Sequence, residues 1–597
     1  MHGHGKVQLT SKPTQMKKTF KTLFSYLKEH LAFIILVVIL AIVGAISMIL
    51  GPRFLGDITK YCNDFVIGVL DQSKAYSLIF KTGILLIVIY TVNCISNYLC
   101  GFFMTGISQK VSNKMRSDIA DKINKLPLSY FDTRNFGDVL SRVTNDVDTV
   151  SQNLNQALTQ IVSSGTLFIG VFIMMLTLSP MMTLIAVISI PLSILLILII
   201  VRFSQRFFRT QQAALGKMNG FIEEEFSGHI VVKAFNQEDK RYETFDEYNK
   251  TLKNSAWKSQ FFSGMTLPIM QFIGNLSYIA ICVIGGIGIT GGKFGLEMIQ
   301  MFIQYTRLLN QPVQNLGQIS SVLQMCAAAS ERVFEFLGEQ EMPADNVVAT
   351  LDRKDVIGSV EFSHVNFGYN KDKQIIFDFN SIVKPGNKIA IVGPTGAGKT
   401  TIVNLLMRFY ELDSGHIYID GVSTKDMSRS NVASLFGMVL QDTWLFEGTI
   451  RDNLKYGNRE ATDEQIYMAL KACHIDHFVR SLPGGLDYVL DENANVSAGQ
   501  KQLLTIARTM IENAPMLILD EATSSVDTRT EALIQKAMDK LMVGRTSFVI
   551  AHRLSTIKNA DVILVLKDGN VIEQGNHETL LEKNGFYAAL YNSQFES

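Results

Sequence analysis

The chain has 597 residues, 47% of them hydrophobic and 18% charged, which is more than one ordinary domain can hold. Its 55 basic and 55 acidic side chains cancel, so no global basic field points to nucleic acid as a partner. The six cysteines form no CxxC pair and sit mostly in or beside apolar runs, a small-hydrophobe pattern rather than a metal or redox one. Residues 1–15 are polar, so no signal peptide is expected, and His2 and His4 fall in that tail. Residues 17–29 put Phe20, Leu23, Phe24 and Leu27 on one helical face and lysines on the others. That is the pattern of an interfacial helix lying on a membrane surface.

Spanning a bilayer takes about 20 apolar residues. Six stretches qualify, at about 31–51, 83–104, 159–179, 181–203, 262–287 and 297–320. The third and fourth make a tight hairpin at Ser179-Pro180. The fifth and sixth carry Gln271, Asn275, Gln304, Arg307, Asn310 and Gln311. These would face either a water-lined path or hydrogen-bonding partners on other helices, since lipid satisfies neither. Lys17, Lys18, Lys21 and Lys28 precede the first span and set the N-terminus in the cytoplasm. Six spans then return the chain to the cytoplasm. The connections at about 105–158 and 204–261 are long and charged, with Val111, Met115, Ile119 and Ile123 at helical spacing. Both should project into the cytoplasm as helical extensions. The reading divides the chain into a tail and elbow helix (1–30), a six-helix membrane domain (31–325), an exit helix and linker (326–357), and a soluble domain (358–597).

The soluble part carries the chemistry. Residues 393–400 read Gly-Pro-Thr-Gly-Ala-Gly-Lys-Thr, a full match to G-x4-G-K-[ST] between a strand pattern (KIAIV) and a helix pattern (TTIVNLLMR). Gly393, Thr395, Gly396, Ala397 and Gly398 form a loop whose backbone N–H groups can wrap phosphates at a helix N-terminus. Lys399 should reach the β- and γ-phosphates, and Thr400 should offer its hydroxyl to Mg²⁺, with Thr401 following in the helix. A second buried strand, MLIL, ends in Asp520-Glu521. An aspartate there holds Mg²⁺ in P-loop ATPases, and the next carboxylate is placed to polarise the attacking water.

At this point the chain resembles the ATP-binding cassette exporters, and specifically the glutamate-retaining subunit of bacterial heterodimeric multidrug exporters. Val496-Ser497-Ala498-Gly499-Gln500 stands where that family has its signature, followed by KQLLTIART. Gln441 in VLQDTWLFEGTIRDNL looks like the Q-loop, a Mg²⁺ and γ-phosphate contact; Ser524-Ser525-Val526-Asp527 looks like the D-loop. His552 looks like the switch histidine, and Tyr369 in FGYN matches the aromatic that stacks on adenine. The resemblance implies a six-helix membrane domain fused to an α/β P-loop ATPase that works as half of a head-to-tail dimer. In that dimer Ser497, Gly499 and Gln500 face the partner's nucleotide. It also makes 131–146 and 228–236 the coupling elements at the tips of the long loops. Ser497 is independently a good N-cap for a helix running through Arg508.

The signature departs from Leu-Ser-Gly-Gly-Gln at Val496 and Ala498, and a Cβ at the latter limits backbone approach to phosphate. With Glu521 intact, this implies a heterodimer with a second half-transporter and one degenerate ATP site. The rival assembly is a homodimer that tolerates alanine. The expected activity is ATP hydrolysis (Glu521, His552, Lys399) driving export of hydrophobic or amphipathic compounds, drugs first and lipids second, from a bacterial plasma membrane. A peptide exporter or an ATP-gated channel on the same scaffold is the alternative, and an importer is disfavoured because importer membrane domains are usually separate chains. Phe168, Phe172, Met174, Met175 and Phe272 suit varied apolar cargo as well as simple packing.

Overall fold

The structure, a computed structural model, describes residues 16–595 except 135, 371–372, 442, 492–495, 521–526 and 552–553. Two compact units result: 1–124 with 135–339, and 125–134 with 340–597.

The first unit is helical. Helix α1 (Met16–Lys28) buries Thr19, Leu23 and Leu27 and leaves Phe24 exposed. Its Tyr26 stacks on Phe334 at 5.8 Å and donates to Asp118 at 2.7 Å. The long helices are α2 (Leu31–Val66), α3 (Gln72–Lys125), α6 (Val147–Leu178), α7 (Pro180–Ser227), α9 (Glu238–Gly264) with α10 (Thr266–Thr290), and α11 (Leu296–Leu337). Short helices α4 (Leu128–Thr133) and α5 (Phe136–Ser141) lie between α3 and α6, and α8 (His229–Ala234) lies between α7 and α9.

Among the described residues, five helical stretches are long and apolar enough to cross a membrane. The sixth expected span, α11, falls short on composition because Gln300, Gln304, Arg307, Asn310 and Gln311 crowd its first half. It is nevertheless a continuous helix, and Phe302, Tyr305 and Leu309 are buried beside Ile49, Val171, Met175 and Met182. The Tyr305 hydroxyl donates to the Ile49 carbonyl at 3.0 Å. The α6–α7 hairpin turns at Ser179, whose extended backbone (φ −162°) precedes Pro180 at the first helical position, where proline's missing N–H is harmless. Just before α6, residues 142–146 form a π turn. Buried Asp146 accepts from Arg332 Nε at 2.8 Å, and Arg142 donates to the Arg332 carbonyl at 3.2 Å. Unpaired charges there would be costly, and this network pairs Asp146 with Arg332 and Arg142 with Asp138.

The second unit is α/β. A six-stranded sheet runs Asn570–Gly575, Val562–Lys567, Lys388–Val392, Thr546–Ile550, Met516–Asp520, Phe436–Val439, with all neighbours parallel except the first pair. Its central strands are continuous apolar runs because both faces are covered. A four-stranded antiparallel sheet is ordered Ile376–Val383, Val360–Phe367, Ser414–Ile419, Val422–Ser423. The two sheets share one core, where Phe362 meets Phe379 edge-on at 4.8 Å and Phe548 at 6.4 Å. No regular element occupies 338–359, in keeping with the polar linker expected there.

Candidate functional site

Four neighbouring parallel strands end at the same edge of the six-stranded sheet, the edge at which such sheets bind ligands. Lys388–Val392 leads into the phosphate loop, and Met516–Asp520 ends in Asp520. Phe436–Val439 is followed by Gln441, and Thr546–Ile550 by Ala551. The register aligns Ile550 with Asp520, Ile391 with Ile550 and Val439 with Leu519. Residues far apart in sequence are thereby brought side by side. Glu521 and His552, the predicted water-polarising and switch residues, lie outside the described residues.

The loop from Gly393 to Gly398 depends on its glycines. Gly393 (φ +155°) leaves no room for a Cβ, which would meet the Leu566 carbonyl at 2.3 Å. Gly398 (φ +98°) would bring one to 2.8 Å from Ile376 Cδ1. Gly393 demands glycine because backbone blocks a Cβ, and Gly398 because of its left-handed backbone. Gly396 has φ +85°, Thr395 is exposed, and Ala397 is buried under the loop. Helix α12 (Lys399–Leu406) begins immediately after the loop with no side-chain cap. Its first N–H groups therefore remain for an anion.

Lys399 Nζ donates to the carbonyls of Gly393 (2.7 Å) and Pro394 (3.2 Å). Burial pulls its pKa down, and the Asp520 carboxylate opposes that shift. Lysine and aspartate are therefore within each other's field, as a phosphate–cation site requires. Thr400 is exposed beside them; Thr401 is buried, and its hydroxyl accepts from Tyr369 at 3.3 Å. Tyr369 also accepts from Asn404 Nδ2 at 3.3 Å. Its ring stands edge-on to Phe367 (5.1 Å) and Tyr410 (5.0 Å) and keeps 38% exposure. One face of the aromatic is thus held rigid and the remainder is open for a base. The Tyr410 hydroxyl donates to Asp132 in α4, and its pKa is pushed up by burial and by that carboxylate. Of the residues 131–146 expected at a loop tip, only those before 135 group with this second unit, and their helix begins three residues earlier, at Leu128.

The signature helix runs Ala498–Glu512, past the expected Arg508, and ends on Asn513 in the left-handed region (φ +54°). Ser497 caps it by accepting from the Gln500 N–H at 3.3 Å, and Gln500 Oε1 accepts from the Ser497 N–H at 2.9 Å. This reciprocal capping box commits the Gln500 side chain to the helix start. Gly499 is buried in the first turn. The sequence reading missed the role of Arg508, which donates to the Asn453 carbonyl (2.8 Å), Asn453 Oδ1 (3.0 Å) and the Trp444 carbonyl (3.1 Å). It ties the signature helix to the segment after Gln441, which is itself exposed.

In the helical unit a polar cavity of about 480 Å³ opens between α2, α3, α6 and α11. Asn93 and Asn97 project from α3, and Gln152, Asn155, Gln156 and Gln160 from α6; α11 adds two more carboxamides. The fifth span contributes none of the lining, and its Gln271 and Asn275 are exposed instead. The cavity thus draws its carboxamides mainly from α6, with α3 and α11 supplying two each. The run Gln152, Gln156, Gln160, at a spacing of four, is the signal that could have found it.

Family profiles match the chain at 34–313 (ABC transporter transmembrane region) and 376–524 (ABC transporter). This chain is an ABC exporter, with a transmembrane region fused to an ATPase cassette. It is 44% identical over 517 residues to a fatty acid ABC transporter ATP-binding/permease protein of Mycobacterium bovis, covering 86% of this chain and 82% of that one. It is 40% identical over 587 residues to the uncharacterized ABC transporter ATP-binding protein YfiC of Bacillus subtilis, covering 98% and 96%. A solved bacterial Atm1-family ABC exporter with ATP bound superposes with a TM-score of 0.74 at 25% identity, covering 95% and 98%. The exporter is an integral membrane protein that binds ATP, couples its hydrolysis to transport and works as a dimer in the lipid bilayer.

Proposed function

We propose that this chain is the hydrolysing half of a heterodimeric exporter that moves amphipathic compounds out of the cytoplasm of a bacterial cell. Drug-like molecules are the first substrate class and lipids the second. The carrying observation is an asymmetry within the chain. Its phosphate loop keeps the full motif with glycine-dependent backbone and is followed in the sheet by Asp520, whereas its signature carries Ala498 in place of glycine. A partner with a normal signature would complete the site at Lys399, and this chain's own Ser497, Gly499 and Gln500 would face the partner's nucleotide.

Within the site, Lys399 neutralises the β- and γ-phosphates, and the loop N–H groups orient them. Glu521 polarises the attacking water, His552 stands by the γ-phosphate, and Tyr369 stacks on adenine. The donors at hand for a cation are oxygens: the Thr400 hydroxyl, the Asp520 carboxylate and the Gln441 amide. That set fits Mg²⁺, which takes few protein ligands and completes its shell with phosphate and water. Bound there, Mg²⁺ supplies charge neutralisation at the transferred phosphoryl group.

A homodimer moving lipid is the second reading, favoured by the 44% identity to a protein named for fatty acids. Expressing the chain alone separates the two. A stable homodimer turning over at full rate with two equivalent sites overturns the heterodimer. Failure to assemble, or assembly without turnover until a second half-transporter is supplied, supports it.

A further inference from the structure

We infer that Asp345, in the segment that follows the exit helix, is a positioning residue for the adenine end of the ATP site. This rests on the reading of Tyr369 as the aromatic that stacks on adenine, and adds what holds that ring in place. The Tyr410 ring stands edge-on to Tyr369 (5.0 Å) and to Phe367 (5.7 Å), and such aromatic pairs attract beyond the area they bury. Tyr410 lies in the turn that follows α12. There Arg408 takes a left-handed backbone (φ +52°), which a residue with a Cβ adopts only at a cost. The turn therefore depends on side-chain bonds. Arg408 Nε donates to Glu411 at 3.1 Å, which closes a bracket around Phe409 and Tyr410. Arg408 Nη1 donates to the carbonyls of Thr424 (3.0 Å) and Met427.

Asp345 completes the charge balance of this turn. Its carboxylate accepts from Arg429 Nη1 (2.8 Å) and from the Arg429 main-chain N–H (3.0 Å), and it lies 3.5 Å from Arg408 Nη1. Arg429 Nη2 in turn donates to Glu411. Two guanidiniums thus face two carboxylates, with the Arg408 side chain 8% exposed and that of Asp345 25%. Without the Asp345 charge, both guanidiniums compete for Glu411, and one largely buried positive charge is left uncompensated, which is destabilising. Arg429 then draws Glu411 away from Arg408, the bracket loosens, and the edge of Tyr410 no longer fixes Tyr369. The Tyr410 hydroxyl keeps its bond to Asp132, so the loss is partial. The same segment is seated along the cassette by further bonds. Val348 and Ala349 donate their main-chain N–H groups to the Asp426 carbonyl (2.8 and 3.0 Å), and Leu351 exchanges two bonds with the Asn431 side chain (3.0 and 2.9 Å). The chain that leaves the exit helix is thereby part of the adenine platform.

The test measures ATP hydrolysis by the assembled transporter, with inorganic tripolyphosphate as a competitor that has phosphates but no base. Asp345→Asn keeps the side chain's shape and removes its charge. It should raise KM for ATP about threefold, the lower end of what a lost aromatic edge contact supplies. Both kcat and the inhibition constant of tripolyphosphate should stay at wild-type values. Adding Arg429→Gln should return KM to the wild-type value, because Glu411 then serves Arg408 alone. A role limited to seating the segment predicts the reverse, a further rise, since Arg429 also holds the Pro343 carbonyl (2.9 Å). Tyr369→Ala is the reference, expected to raise KM and leave tripolyphosphate inhibition as it was. If it does so while Asp345→Asn keeps a wild-type KM, the inference is overturned. It is overturned equally by a double variant no better than the single one, or by an Asp345→Asn loss shared in full by tripolyphosphate. If Tyr369→Ala itself leaves KM unchanged, the adenine reading falls, and the role of Asp345 with it.

Discussion

Replacing Arg508 with Met removes the tie between the signature helix and the segment after Gln441. The guanidinium makes three hydrogen bonds of 2.8, 3.0 and 3.1 Å, to two main-chain carbonyls and one carboxamide. Burial lowers its pKa, so part of the bonding energy offsets desolvation of the charge. Hydrogen bonds to charged groups contribute about 1.5–3 kcal/mol each, and stranded acceptors add to the loss. Methionine keeps the apolar stem and returns some of it. A net destabilisation of about 3 kcal/mol is expected, which for a cassette of this size lowers the unfolding midpoint by about 6–12 °C. The chain has two tryptophans. One of them, Trp444, offers the lost carbonyl and is exposed, so tryptophan fluorescence during thermal unfolding of the full transporter reads the change directly. A midpoint shift under about 2 °C, with normal ATP turnover, would refute the claim that Arg508 holds the signature helix in place.

Lys399→Ala should weaken ATP binding by about 10- to 100-fold, the loss of charged hydrogen bonds to phosphate, and unchanged affinity for a fluorescent ATP analogue would show the phosphate loop to be misassigned. Tyr369→Ala should cost about tenfold in the same assay through lost stacking on the base, and an equal loss for inorganic triphosphate would point to a role other than adenine contact. Gly398→Ala should also weaken nucleotide binding, because its φ of +98° is strained for any residue with a Cβ and the loop must shift to relieve it. His577, bonded to the Tyr587 hydroxyl at 2.7 Å, has its pKa lowered by burial and by Lys558. Its neutral form is the one the fold favours. It therefore contributes stability that is present above about pH 6.5 and lost as pH falls through the lowered value. The midpoint of His577→Gln should fall less steeply than that of wild type over that acid range, and parallel profiles would remove His577 from the account.

The ATP site was legible because its chemistry forces residue types. A loop that wraps phosphate needs left-handed backbone at Gly396 and Gly398 and a bare Cα at Gly393. An aspartate ending the apolar run MLIL has little other reason to be there. Five spans and the Ser179-Pro180 hairpin were readable from hydropathy and proline geometry, and α11 was readable as a helix although its polar face lowers its apolarity. What could not be read was long-range pairing. Arg508 finds acceptors 55 and 64 residues away, and Tyr410 packs against Tyr369 across the start of α12. The carboxamide cavity was not read from the sequence for the same reason. Gln271 and Asn275 are as polar as Gln156 and Gln160, and only packing decides which of them face one another. The capping box at Ser497 and Gln500 makes the converse point: residues quoted for a nucleotide role also start their own helix.

The most direct test of the account is Glu521→Gln in the reconstituted, assembled transporter, with ATP hydrolysis and amphiphile transport measured in the same vesicles. The substitution keeps the side-chain shape and removes the charge that orients water, so the loss should fall in kcat, by about 10²-fold or more. Nucleotide binding should persist, and transport should stop in step with hydrolysis. Turnover and transport near the wild-type rates would contradict the assignment of this chain as the hydrolysing half.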